Sequence, residues 1–170
     1  TFQKGAQEVS IEAFQKANPN VKVNYSGGGS GKGRQDFSDG VVDFACTDAP
    51  YKDDAKPKGG DFVYVPNVLG AITVSYNVDG VDKLQLSAST LAKIFGREIK
   101  KWDDAAIAAD NPGAKLPSAD IVIARRADGS GTTENFTKYL DKASGGAWKL
   151  KSGSTVEWPA DTQAGQGNGG

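Results

Sequence analysis

Arg125-Arg126-Ala127-Asp128-Gly129-Ser130-Gly131-Thr132-Thr133 joins a strand-like run to a helix-like one. Before it, Ile121-Val122-Ile123-Ala124 is short, apolar and β-branched, the pattern of a buried strand. After it, Phe136, Tyr139 and Leu140 recur at i, i+3 and i+4, which predicts an amphipathic helix. Between them Gly-Ser-Gly-Thr is too rich in glycine for either element, and its hydroxyls suit a helix N-cap. A helix opening on glycines presents unpaired N–H groups, and with the macrodipole behind them these form a site for an anion. Arg126 adds a planar fork that matches an oxyanion, and Asp128 stands two residues away to orient it. The same stretch also reads as an Asp-Gly turn before a capped helix.

The composition limits what such a site can be. The charges nearly cancel, at −1 in 170 residues, which argues against a nucleic-acid binder that relies on a basic face. Any bound anion is therefore held by local geometry rather than by a global positive field. With no histidine, zinc chemistry and Ser-His-Asp catalysis fall away. The single cysteine, Cys46, has no internal disulfide partner and reads as a small buried apolar residue. No apolar run approaches the length of a membrane span.

Two more loops resemble the first. A helix is predicted over Gly5–Ala17, with Val9, Ile11, Phe14 and Ala17 close to one face and Asn18-Pro19-Asn20 as its stop. Val21–Tyr25 alternates like a strand and leads into Ser26-Gly27-Gly28-Gly29-Ser30-Gly31-Lys32-Gly33, followed by a short helical segment carrying Phe37. This loop is not a Walker A motif, since Ser26 stands five before Gly31 and Gly33 follows Lys32. Nor is it a dinucleotide fingerprint, because Ser30 or Arg34 occupies a required glycine. It does offer N–H groups and the Ser30 hydroxyl to an anion. Val41–Cys46 is a further predicted strand, and Asp48 lies just past its C-terminal end, where open α/β sheets place ligands. Asp48 also reads as an N-cap or Asx turn before Pro50. Phe62–Pro66 and Ala71–Tyr76 are predicted strands and Ser87–Phe95 a short amphipathic helix. The next helical turn is expected from Lys100 to an end at Asn111-Pro112-Gly113, with Trp102 as a core or staple residue. Alternating β and α elements with three polar loops at strand ends converge on one crevice.

In order along nearly the whole chain, these stretches resemble the periplasmic phosphate-binding proteins of the bacterial high-affinity phosphate transporter, the PstS family. The resemblance rests on Val23-Asn24-Tyr25 with Gly29-Ser30-Gly31, Val42-Asp43-Phe44 with Asp48-Ala49-Pro50, Ile99 to Asp103, Asn111-Pro112-Gly113, Arg125 to Thr132, Thr155 to Pro159, and Gly165 to Gly170. It implies an α/β fold of the type II periplasmic-binding-protein kind, two lobes joined by a hinge that close over one dehydrated phosphate. It further implies that Ser30, Arg126, Ser130, Gly131 and Thr132 donate to phosphate oxygens, that Asp48 accepts the remaining phosphate proton, and that Asp128 pairs with Arg126. Thr1 and Phe2 match the last two residues of the family's first ligand loop, whose glycine lead-in is absent here. Ala45-Cys46-Thr47 departs mildly from the family's Gly-Ala-Ser before the aspartate. No metal, cofactor or catalytic residue is implied. The implied partners are inorganic phosphate and the permease of a membrane ABC transporter, and the implied location is the periplasm or the outer face of the cell envelope.

Members of that family are longer than this sequence. Residues 1–70 are accordingly expected to be the first part of lobe one and 71–170 the first part of lobe two, with the remainder of both lobes outside the chain. Two other functions remain open at this stage, a binder of another oxyanion such as sulfate or molybdate, and a phosphoryl-transfer enzyme. The failed Walker A match and the lack of a second carboxylate cluster for magnesium weigh against the enzyme.

Overall fold

Glycine, proline and capping residues divide the chain into short elements, α1 (Lys4–Ala17), α2 (Ser30–Ser38), α3 (Ala88–Phe95), α4 (Ala105–Asp110), β1 (Ala124–Arg126), α5 (Gly131–Ala143) and β2 (Gln163–Gly165). These come from a computed structural model that describes residues 3–52, 57 and 61–170.

The packed part of the molecule is the second one. Ser87 opens α3 by accepting the Thr90 N–H at 3.1 Å, and Asp104 opens α4 by accepting that of Ala106 at 2.9 Å, each satisfying a donor that a helix start leaves unpaired. Asn111 closes α4, donating from Nδ2 to the carbonyls of Ile107 and Gln85. Ile94, Ile99, Ile107, Ile121 and Ile123 form one buried cluster, with Trp102 packed against it as expected of a core residue. Leu91, Ala92, Leu140 and Trp148 form a second, flanked by Phe136, Val156 and Trp158. There α3 lies on α5, with the Phe95 and Phe136 rings edge to face at 4.9 Å. The Leu140 side chain is wholly buried, worth about 1.5–3 kcal/mol of apolar transfer.

β1 and β2 pair in parallel, Ala124 opposite Gln163 and Arg126 opposite Gly165, with α5 in the crossover between them. The glycine stretch expected to end the chain as a loop thus begins as a strand. The predicted strand at Ile121–Ala124 is shifted, since ladder pairing starts at Ala124 while Ile121 and Ile123 supply core side chains. The helical turn expected from Lys100 starts later, because Lys101 is held in an antiparallel bridge with Asp120 and the Asp104 cap sets the start at Ala105.

The described residues up to Tyr76 depart further from the sequence expectation. Val21–Tyr25, Val41–Cys46, Phe62–Pro66 and Ala71–Tyr76 form no β-ladder among the described residues. Alternation suits these runs to a sheet, but a strand exists only where a neighbour takes its N–H and C=O groups, and none of the described segments does. Val63, Val65 and Leu69 are exposed in consequence. The predicted helix is present as α1, yet it buries none of its residues, and Val9 is 69 % exposed. Its apolar stripe has no opposing face among the described elements. No helix among the described residues is long and apolar enough to cross a membrane.

Candidate functional site

The Gly31 N–H, at the opening of α2, donates to the Gly129 carbonyl at 3.0 Å, just before the opening of α5. The N-termini of the two helices therefore meet. Glycine makes the approach possible. A methyl group on Gly131 would lie 2.6 Å from Ser30 Oγ and 2.7 Å from Asp48 Cβ. One on Gly29 would collide with the Asp128 carboxylate and the Gly129 carbonyl.

Two serines stand at this junction, Ser30 as the first residue of α2 and Ser130 as the cap of α5, and both are buried. Ser130 is the N-cap of α5, its Oγ accepting the Thr133 N–H at 3.3 Å while its own N–H goes to the Ser154 carbonyl. Ser30 Oγ accepts the Asp48 N–H at 3.2 Å. Each hydroxyl keeps its own proton for a further acceptor. The Thr132 hydroxyl, expected to face a ligand, instead donates to Asp48 Oδ2 at 3.1 Å. Asn135 Nδ2 donates to the Asp48 carbonyl at 2.8 Å. Asp48 is thereby fixed to α5 from its side chain and its backbone together, and it caps no helix.

Arg126 ends β1 beside this junction. Its Nε donates to Asp128 Oδ1 at 2.7 Å and its Nη2 contacts Oδ2 of the same carboxylate, the planar two-point pairing expected from the sequence. Nη1 reaches Asn168 Oδ1 at 2.6 Å, and the Gly167 N–H donates to Asp128 Oδ1 at 3.0 Å. The hydrogen bond from Arg126 holds the Asp128 carboxyl at about 2, well under the usual carboxylate range. Arg125 turns elsewhere, to Thr162 Oγ1 and the Arg126 carbonyl.

Ser30, Asp48, Arg126, Asp128, Ser130, Gly131 and Thr132 are thus brought to one place, while Thr1 and Phe2 lie outside the described residues. The sequence reading missed Asn168, Asn135 and the pair Arg34–Glu134. The Arg34 guanidinium places Nη1 and Nη2 each 3.2 Å from Glu134 Oε2, and Nη1 also donates to the carbonyls of Ala49 and Pro50. Lys138 Nζ meets the other Glu134 oxygen at 2.8 Å. Burial works to raise the Glu134 pKa, but Lys138 and Arg34 outweigh it and hold the carboxyl below its ordinary value. No local signal in the sequence joins residue 34 to residue 134. Among the described residues no group of three acidic, cysteine or histidine side chains could hold a metal.

This junction combines two helix openings, two hydroxyls, a held guanidinium and one carboxylate, a donor-rich recess for a small oxyanion. The family model for the PBP superfamily domain matches residues 1–170. The chain belongs to the PBP superfamily. Within it, the chain is 42 % identical to the phosphate-binding protein PstS of Methanocaldococcus jannaschii, over 100 % of this chain and 47 % of that protein. It is 38 % identical to the phosphate-binding protein PstS 3 of Mycobacterium leprae, over 92 % of this chain and 44 % of the relative. A solved structure of a high-affinity periplasmic phosphate-binding protein bound with phosphate superposes with a TM-score of 0.65 at 25 % identity, covering 87 % of this chain and 45 % of that one. The chain spans about half the length of the PBP relatives it matches.

Proposed function

We propose that the protein containing this chain binds inorganic phosphate and delivers it to a membrane ABC transporter. The observation that carries this reading is the meeting of the α2 and α5 N-termini beside Arg126. Ser30, Ser130, Gly131 and the backbone N–H of Thr132 donate to phosphate oxygens from the two helix openings, and Arg126 contributes the guanidinium edge not used by Asp128. The names of the relatives support the choice of phosphate, and the periplasmic neighbour supports a place in the periplasm or on the outer face of the cell envelope. Residues 1–70 and 71–170 contribute the first parts of two lobes that close on the ion, and the rest of the protein completes both. In this reading the protein binds without turnover, Asp48 serving as a hydrogen-bond acceptor for the ligand.

Asp48 makes the site choose phosphate over sulfate. Near neutral pH phosphate keeps at least one proton and sulfate has none. A carboxylate only accepts hydrogen bonds, so it pairs with P–OH but meets a bare sulfate oxygen lone pair to lone pair. Leaving such a group unpaired costs about 1–3 kcal/mol or more, a preference of at least about tenfold. Calorimetric titration with phosphate, and competition by sulfate, tests the reading. Tight phosphate binding with weak sulfate competition is expected, and Asp48→Asn should admit sulfate more readily. Equal binding of both ions by the wild type would overturn the assignment of phosphate, and hydrolysis of a phosphoester would overturn the assignment as a binder.

A further inference from the structure

Beside the junction lies a contact that the proposed binding reaction does not use. Arg34 is one helical turn beyond Ser30 on α2, and Glu134 one turn into α5. The two are 100 positions apart in sequence and sit in the two different parts of the chain. The Glu134 side chain is 2 % exposed and that of Arg34 15 %, so solvent screens the pair weakly. Arg34 also grips the carbonyls of Ala49 and Pro50, next to Asp48. One side chain therefore ties α2, the Asp48 turn and α5 together. Lys138 adds a second cation to the same carboxylate.

We infer that Arg34 and Glu134 are positioning residues that form a latch between the two parts of the chain, closing the site independently of the anion and setting how long the anion stays. The inference rests on the phosphate reading for its ligand, but the latch itself does not require phosphate. A ligand bound by two parts at once leaves only after they separate, and its apparent affinity falls with the fraction of molecules in which they are together. A buried ion pair made only in the joined state adds directly to that fraction. Because neither side chain hydrogen-bonds Ser30, Arg126, Ser130 or Thr132, removal of the pair acts on release far more than on encounter.

The test uses the whole protein and three variants, Arg34→Met, Glu134→Gln and the double substitution. Each single substitution should speed phosphate release roughly tenfold, within the range of coupling between sites, with association nearly unchanged. The double variant should release no faster than the faster single, since both remove one shared interaction. Small-angle scattering without phosphate should show the wild type more compact than all three. Should a truncation fail to fold, Arg34→Lys decides, because it keeps the charge and loses the fork; its release should fall between wild type and the tenfold change. Release rates equal to wild type, whether or not thermal stability drops, would overturn the latch, as would effects that simply add in the double variant. If the wild type bound no phosphate, the phosphate reading would fall, and the scattering comparison alone would still decide the latch.

Discussion

A guanidinium carries five N–H donors, and Arg126 commits three of them, two to Asp128 and one to Asn168. What remains for a ligand is a fixed edge rather than a mobile charge. Arg126→Lys keeps the charge and loses that edge, so phosphate affinity measured by calorimetry should fall tenfold or more, at roughly 1.5–3 kcal/mol per charge-assisted bond. Arg125→Lys, on a side chain that turns to Thr162, should leave the titration unchanged. The partner carboxylate makes its own prediction. The Asp128 pKa is lowered from 3.8 to about 2, so its stabilisation is complete above the unfolded value and is lost as the pH falls through the folded one. At about 1.4 kcal/mol per unit, that is about 2 kcal/mol, and Asp128→Asn should flatten the loss of stability between about pH 5 and 2 in urea unfolding. The Arg126–Asp128 pair was legible because its members are two residues apart. Asn168 was not, because only the β1–β2 pairing brings it to Arg126.

For the elements, most helix ends were legible, although the α4 start at Asp104 was read early at Lys100, and most strands were not, for one physical reason. Ser87, Asp104 and Ser130 cap with side chains that lie next to the groups they satisfy, so the signal is local. The alternation at Val21–Tyr25 or Phe62–Pro66 states only a preference, and the ladder depends on a partner elsewhere in the fold. Gly131 separates local preference from tertiary need in a single substitution. By propensity alone Gly131→Ala should favour α5 by up to about 1 kcal/mol. In the folded molecule its methyl group would press on Ser30 Oγ at 2.6 Å and on Asp48 Cβ, and drive α2 from the start of α5. The expected result is unchanged helix content by circular dichroism together with a phosphate affinity lowered at least about tenfold, equivalent to about 1.4 kcal/mol of lost contact. Higher stability with unaltered binding would mean that the two helix openings do not need to touch.

For the whole molecule, the uneven burial decides behaviour in solution. The second part has two apolar clusters, whereas the first presents Val41, Phe44, Val63, Val65 and Leu69 to solvent. An apolar surface of this extent calls for a cover. Residues 1–170 expressed alone should therefore bind an apolar dye such as ANS strongly and elute as aggregates from size exclusion, while the whole protein should do neither; a monomer that leaves the dye dark would show that the exposed runs need no cover. A second global property follows from the head-on meeting of α2 and α5. Each helix carries about half a positive charge at its opening end, so the two ends repel, while Asp128 offsets the Arg126 guanidinium beside them. On the proposed reading, the anion is a counterion as much as a cargo. A sample prepared in phosphate and one dialysed into a salt whose anion is too large to enter should then differ as folded material, which makes the choice of buffer part of the specification of the structure.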